Sequence, residues 1–179
     1  MKIESGFALE LDTKAVSDGG EFEGYASLWG KVDLGRDVVR KGAFTKSLTK
    51  RPANKVKMLR QHFMDEPIGV WLAISEDSKG LHVKGRLIRE TSKGAETYAL
   101  MKEGALDGLS IGYRTLKDTI DRQKGLRYLD EVDLREISIV TFPMLPDATV
   151  SAVKGEHDPE RARSIVAALN RATAALRSL

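Results

Sequence analysis

Cysteine is absent from the 179 residues, and histidine occurs only three times, as His62, His82 and His157. The first absence removes thiol nucleophiles and Cys-ligated zinc, and it is compatible with a reducing cytoplasm. The second leaves few side chains able to act as a base near neutral pH. No run of about 18 apolar residues occurs, so no membrane-spanning helix is expected. The opening Met1-Lys2-Ile3-Glu4-Ser5-Gly6 likewise has no signal-peptide core. An excess of one charge is also missing: 29 basic residues stand against 26 acidic ones, for a net charge of +3. Without a localised basic run, that balance argues against specific nucleic-acid binding. Neither an internal repeat nor a long low-complexity segment is visible. The expectation is a soluble, cytoplasmic chain whose length suits one domain with a hydrophobic core.

What is present is Gly108-Leu109-Ser110-Ile111-Gly112, a match to the G-x-S-x-G pattern of an exposed serine nucleophile. A serine hydroxyl attacks poorly alone, so the pattern requires a base to take its proton and a third group to orient that base. The α/β-hydrolase context does not fit. Ser110 runs on into the β-type stretch Ile111 to Leu116, and the only later histidine, His157, lies in the polar run Lys154 to Pro159, read as a solvated loop.

Strand-like stretches dominate the chain: Gly6 to Asp12, Glu21 to Leu28, Lys55 to Arg60, Ile68 to Ser75, Leu81 to Ile88, Leu109 to Leu116 and Arg127 to Thr141. Their spacing and glycine-rich separators predict a mainly β fold with inserted helices, a barrel or sandwich. Helices are expected near Gly42 to Leu48 and over Lys93 to Lys102, the second capped by Thr91-Ser92. Residues 1–153 form the expected barrel domain. Residues 154–179 form a linker and an amphipathic C-terminal helix, opened by Asp158-Pro159 and striped by Ile165, Leu169, Ala172 and Leu176. That stripe suits packing on the barrel or contact with a second copy.

For the base, His62 ends a strand-like run before Asp65-Glu66-Pro67-Ile68-Gly69, a turn-forming segment, and strand ends beside loops often carry catalytic groups. His82 sits within a strand pattern. For the acid, alternation over Val132 to Val140 places Val132, Leu134, Glu136, Ser138 and Val140 on one face, with Asp133 and Arg135 on the other. A carboxylate among apolar neighbours needs a partner, and the pattern alone allows either His62 or an arginine. Gly108 and Gly112 flank Ser110 on its own face. They suit close approach of a substrate backbone, a bulge, or both.

The strings EGYASLWGKVDLGRDVVRKGAF (23–44), LRQHFMDEPIGVW (59–71), GAETYALMKEGALDGLSIGY (94–113) and EVDLREISIVTFPMLPDA (131–148) closely resemble the phage prohead proteases, the capsid-maturation peptidases of tailed phages. That family is similar to the herpesvirus maturation protease, assemblin. The resemblance spans roughly residues 6 to 153. It implies an assemblin-like β-barrel serine protease in which the family histidine falls on His62, the serine on Ser110 and the acid on Glu136. His82 is the other candidate third member, since assemblin-type enzymes use a second histidine there. Arg60 replaces the apolar or tryptophan residue usual before the Q-H pair.

The implied activity is a serine endopeptidase, with neither metal nor cofactor, that works in the host cytoplasm inside the assembling prohead. Its implied partners are scaffold protein, the scaffold-like segment of the major capsid protein, and other copies of itself, as autocleavage substrate and homo-oligomer. The rival readings are a catalytically silent capsid- or scaffold-binding assembly protein and a nucleic-acid binder.

Overall fold

The computed structural model describes residues 17–151. In chain order the elements are β1 (Glu21–Leu28), β2 (Asp37–Val39), α1 (Thr45–Lys50), a 3-10 turn at Ala53–Lys55, β3 (Lys57–Arg60), β4 (Phe63–Glu76), β5 (Gly80–Leu87), α2 (Ser92–Lys102), β6 (Gly108–Asp121), β7 (Leu126–Val140) and β8 (Val150–Ser151). The expected mainly β fold with inserted helices is what forms. The strand expected at Gly6 to Asp12, the linker, the C-terminal helix and His157 lie outside the described residues.

All the strands join one sheet, ordered β2-β7-β3-β4-β5-β1-β8, with β6 on the other side of β7. The long β7 pairs parallel with β2 near its start and with β3 near its end, while β6 runs antiparallel along its length. The sheet curls until its ends meet. Thr149 bridges to Gly108, Leu109 N–H donates to Ala148 (2.9 Å), and Tyr25 N–H donates to Thr149 (3.1 Å), so the segment into β8 spans from β1 to the start of β6. The closure covers the start of β6 and the middle of β1, a part of the edges that would otherwise invite pairing with other chains.

The interior is filled by Phe22, Met58, Ile68, Trp71, Leu81, Leu109, Leu129, Leu134, Ile137 and Ile139, all fully buried. Phe22 and Trp71 meet edge to face at 5.6 Å, and the Trp71 indole N–H donates to the Lys57 carbonyl (3.2 Å), which satisfies its one polar atom. Both helices are positioned by side chains. Thr91 Oγ1 accepts the Gly94 N–H (3.1 Å) at the start of α2, the expected N-cap. The start of α1 is capped from β4, where the Glu76 carboxylate accepts from Phe44 N–H (3.0 Å) and from the Thr45 hydroxyl (2.6 Å).

Strict alternation in β7 does not hold. Gly112 pairs with Glu136 but Tyr113 pairs with Leu134, so Arg135 is an extra residue, bulged out and exposed. Buried Leu134 and Ile137 are therefore three apart, and Glu136 lies on the face opposite Leu134, not beside it as the alternating pattern predicts. The bulge takes the carboxylate out of the apolar core and turns it toward the barrel's rim.

Candidate active site

β3 ends at Arg60, and β4 begins at Phe63, which pairs back with Arg60. The chain reverses through Gln61 and His62 alone, not through the downstream Asp65 to Gly69, which lie within β4. Both turn residues have positive φ, 52° and 62°, as a two-residue hairpin of the I′ type demands. Neither is the glycine or asparagine favoured there, and such conformations cost roughly 1–3 kcal/mol each. Hydrogen bonds to the end of β7 offset the cost. Gln61 N–H donates to the Ile139 carbonyl (3.0 Å), the Gln61 amide donates to Thr141 Oγ1 (2.7 Å), and His62 N–H donates to Ser138 Oγ (3.2 Å). These bonds hold the histidine at a fixed place beside β7.

There His62 Nδ1 lies 2.6 Å from Glu136 Oε1. The Glu136 side chain is 13% exposed and that of His62 42%. The hydrogen bond to the Glu136 carboxylate raises the His62 pKa above its ordinary value, with partial burial opposing it and the carboxylate's charge adding to it. Glu136 Oε2 accepts the Ser138 hydroxyl (2.6 Å). With Nδ1 engaged, Nε2 is the ring nitrogen left for a proton donor.

Ser110, 5% exposed, sits in β6 directly across from Ser138, and Gly112 faces Glu136 two residues on. Cross-strand partners place their Cβ atoms about 5 Å apart on one face, so Ser110 lies on the same side of the sheet as Glu136 and beside its hydrogen-bonded group. Among the described residues no hydrogen bond joins Ser110 to His62. Ser110 also lines a cleft of about 110 Å³, shared with Leu28, Asp33, Ile111, Tyr113 and Met144.

The flanking glycines serve the protein itself. A β-carbon on Gly112 would overlap Glu136 Oε1, and one on Gly108 would lie 2.7 Å from Pro143 Cδ and 2.8 Å from the Val140 carbonyl. Of the two readings of these glycines, the bulge is therefore realised beside Gly112. At these two positions the place of a side chain is taken by Glu136 and Pro143. Ser138 was missed from sequence, although it lies two residues after Glu136 on the same face.

His82 is on β5, stacked edge to face on Tyr25 at 5.1 Å and 4.0 Å from Glu23, with β3 and β4 between its strand and β7. It belongs to a different part of the sheet from His62. Arg60 turns away to Glu96 of α2 (3.0 Å), which ties the end of β3 to that helix. Among the described residues no cluster of side chains suits a metal ion, and no helix is long and apolar enough to cross a membrane.

The same chain matches the family model described as Caudovirus prohead serine protease over residues 9–162. It is 36% identical to the prohead protease of Enterobacteria phage HK97, over 87% of this chain and 71% of that one. It is also 32% identical to the capsid polyprotein of Pseudomonas phage PAJU2, over 60% of this chain and 17% of the polyprotein. Among solved structures, the bacteriophage T4 capsid assembly protease has the same fold, with a TM-score of 0.55 at 15% identity over 67% of this chain and 80% of that one. On these grounds the chain belongs to the Caudovirus prohead serine protease family and is a protease of phage prohead maturation.

Proposed function

We propose that the protein is a serine endopeptidase with Ser110 as nucleophile, His62 as general base and Glu136 as the group that orients His62. The observation that carries this reading is the 2.6 Å contact between His62 Nδ1 and Glu136 Oε1, formed on the same face as Ser110. Substrate binding in the cleft beside Ser110 brings the scissile carbonyl to its hydroxyl. His62 Nε2 removes the hydroxyl proton as Oγ bonds to the carbonyl carbon. The imidazolium, stabilised by Glu136, then protonates the leaving amine as the C–N bond breaks. Water, deprotonated by the same nitrogen, releases the acyl group and restores the serine. The step needs no metal or cofactor.

The substrates in this reading are scaffold protein or a scaffold-like segment of the major capsid protein, and the protease itself, cut inside the assembling prohead in the host cytoplasm. Similarity to a capsid polyprotein supports the association with capsid subunits, and homo-oligomerisation within the prohead is part of the same proposal. Incubating purified protein with its own phage's scaffold and capsid subunits and mapping the products by mass spectrometry tests it. Defined cleavage that Ser110→Ala lacks supports the proposal. Binding without cleavage would instead mark a silent assembly protein of this fold.

A further inference from the structure

Ser138 is fully buried, and its hydroxyl is used twice: it donates to Glu136 Oε2 (2.6 Å) and accepts the backbone N–H of His62 (3.2 Å). One oxygen thus touches both the acid and the turn that carries the base. Glu136 has two oxygens and a terminal torsion with broad preferences, so its contact with His62 alone leaves the carboxylate free to rotate. The Ser138 hydroxyl fixes Oε2, and thereby directs Oε1 at His62 Nδ1. The same hydroxyl secures His62 in its positive-φ backbone conformation. Glu136 is the only charged group hydrogen-bonded to His62 among the described residues, so its orientation controls the basicity of the ring.

We propose that Ser138 is a positioning residue for the reaction, a fourth member that locks the Glu136 carboxylate and the His62 turn into one rigid unit beside Ser110. The inference rests on the assignment of Ser110, His62 and Glu136 above. Ser138 itself touches neither the nucleophile's proton nor the substrate, and acts through the other two.

Ser47 supplies the control. It too is a buried serine that accepts a backbone N–H, that of Leu134 in β7 (2.9 Å), yet it belongs to α1, away from the site. Ser138→Ala and Ser47→Ala each remove one buried hydroxyl and orphan one N–H, and Ser138→Ala also takes a donor from the Glu136 carboxylate, so both should lower thermal stability, Ser138→Ala the more. Only Ser138→Ala should lower kcat, by roughly 10- to 100-fold, the range for losing a hydrogen bond to a charged group, with KM little changed. It should also move the acid limb of the pH–rate profile downward, because a loosened carboxylate raises the His62 pKa less. Ser138→Cys, near-isosteric with a weaker donor, should fall between wild type and alanine, and serves if Ser138→Ala does not fold. Kinetics and pH profile of Ser138→Ala (or Ser138→Cys) matching Ser47→Ala, or an acid limb that rises, would overturn the proposal. Failure of the underlying assignment reads differently, as activity that survives Ser110→Ala.

Discussion

Gly112 faces Glu136 across the β6–β7 ladder, and the space a side chain would occupy there is filled by the carboxylate. A β-carbon at this position would lie 2.7 Å from the Glu136 carboxyl carbon and overlap Oε1. Gly112→Ala should therefore push the carboxylate off His62 while leaving the barrel folded. The expected loss of kcat approaches that of removing the acid itself, up to about 10⁴-fold. Steady-state kinetics on a variant of native-like circular dichroism checks it, and near-wild-type turnover would show the carboxylate to be dispensable.

Glu136→Gln and His82→Phe separate the two candidate third members. Glutamine keeps the size of the side chain but removes the charge that stabilises the imidazolium, so kcat should fall by up to about 10⁴-fold. His82, in β5, stacks on Tyr25, with β3 and β4 between its strand and β7, and Phe preserves that ring contact, so activity should change less than about twofold by the same kinetic assay.

The pH profile follows from the raised His62 pKa. The base works only when neutral, so kcat/KM should fall on acidification with a midpoint above the ordinary histidine value of about 6.5. In Glu136→Gln the cause that raises it is gone and partial burial remains, so the midpoint should drop to about 6.5 or below. The stabilising contribution runs the other way. A raised folded-state pKa favours the fold fully below about pH 6.5, and this contribution is lost as pH rises through the folded value. Titrating the His62 ring by NMR in wild type and Glu136→Gln checks both statements.

Truncation after Val153 tests the proposed division of the chain. The contacts that close the sheet, through residues 148 to 151, all precede the cut. The truncated protein should keep a cooperative thermal transition and cleave a short peptide, while losing self-association or incorporation into proheads. Light scattering and denaturation of the two forms measure these outcomes, and an unfolded product would show residues 154–179 to be part of the core.

Strand β1 was legible to the residue, because alternation over Glu21 to Leu28 matches the alternating burial of its first six residues. The Thr91 cap marked the start of α2 equally well. Ser110, His62 and Glu136 could be selected because few bases exist and the motifs are co-linear. What alternation could not reveal was the Arg135 bulge, which depends on pairing with a partner strand and reverses which neighbours share the face of Glu136. The tight turn at Gln61-His62 was hidden for a related reason. Its residues have no turn preference of their own, and the conformation is imposed by bonds to β7, distant in sequence. The strand β2 is only three residues long and pairs with a strand some 90 positions away, so it carries almost no local signal.

The proposed mechanism makes Ser110 the nucleophile, activated by His62 and Glu136. It is tested most directly by treating the protein with a fluorophosphonate and locating the adduct by peptide mass spectrometry. The account predicts a single stoichiometric adduct on Ser110, abolished by Ser110→Ala and slowed at least about a hundredfold by His62→Ala. Labelling at another serine, or labelling of Ser110 at an unchanged rate without His62, would contradict it.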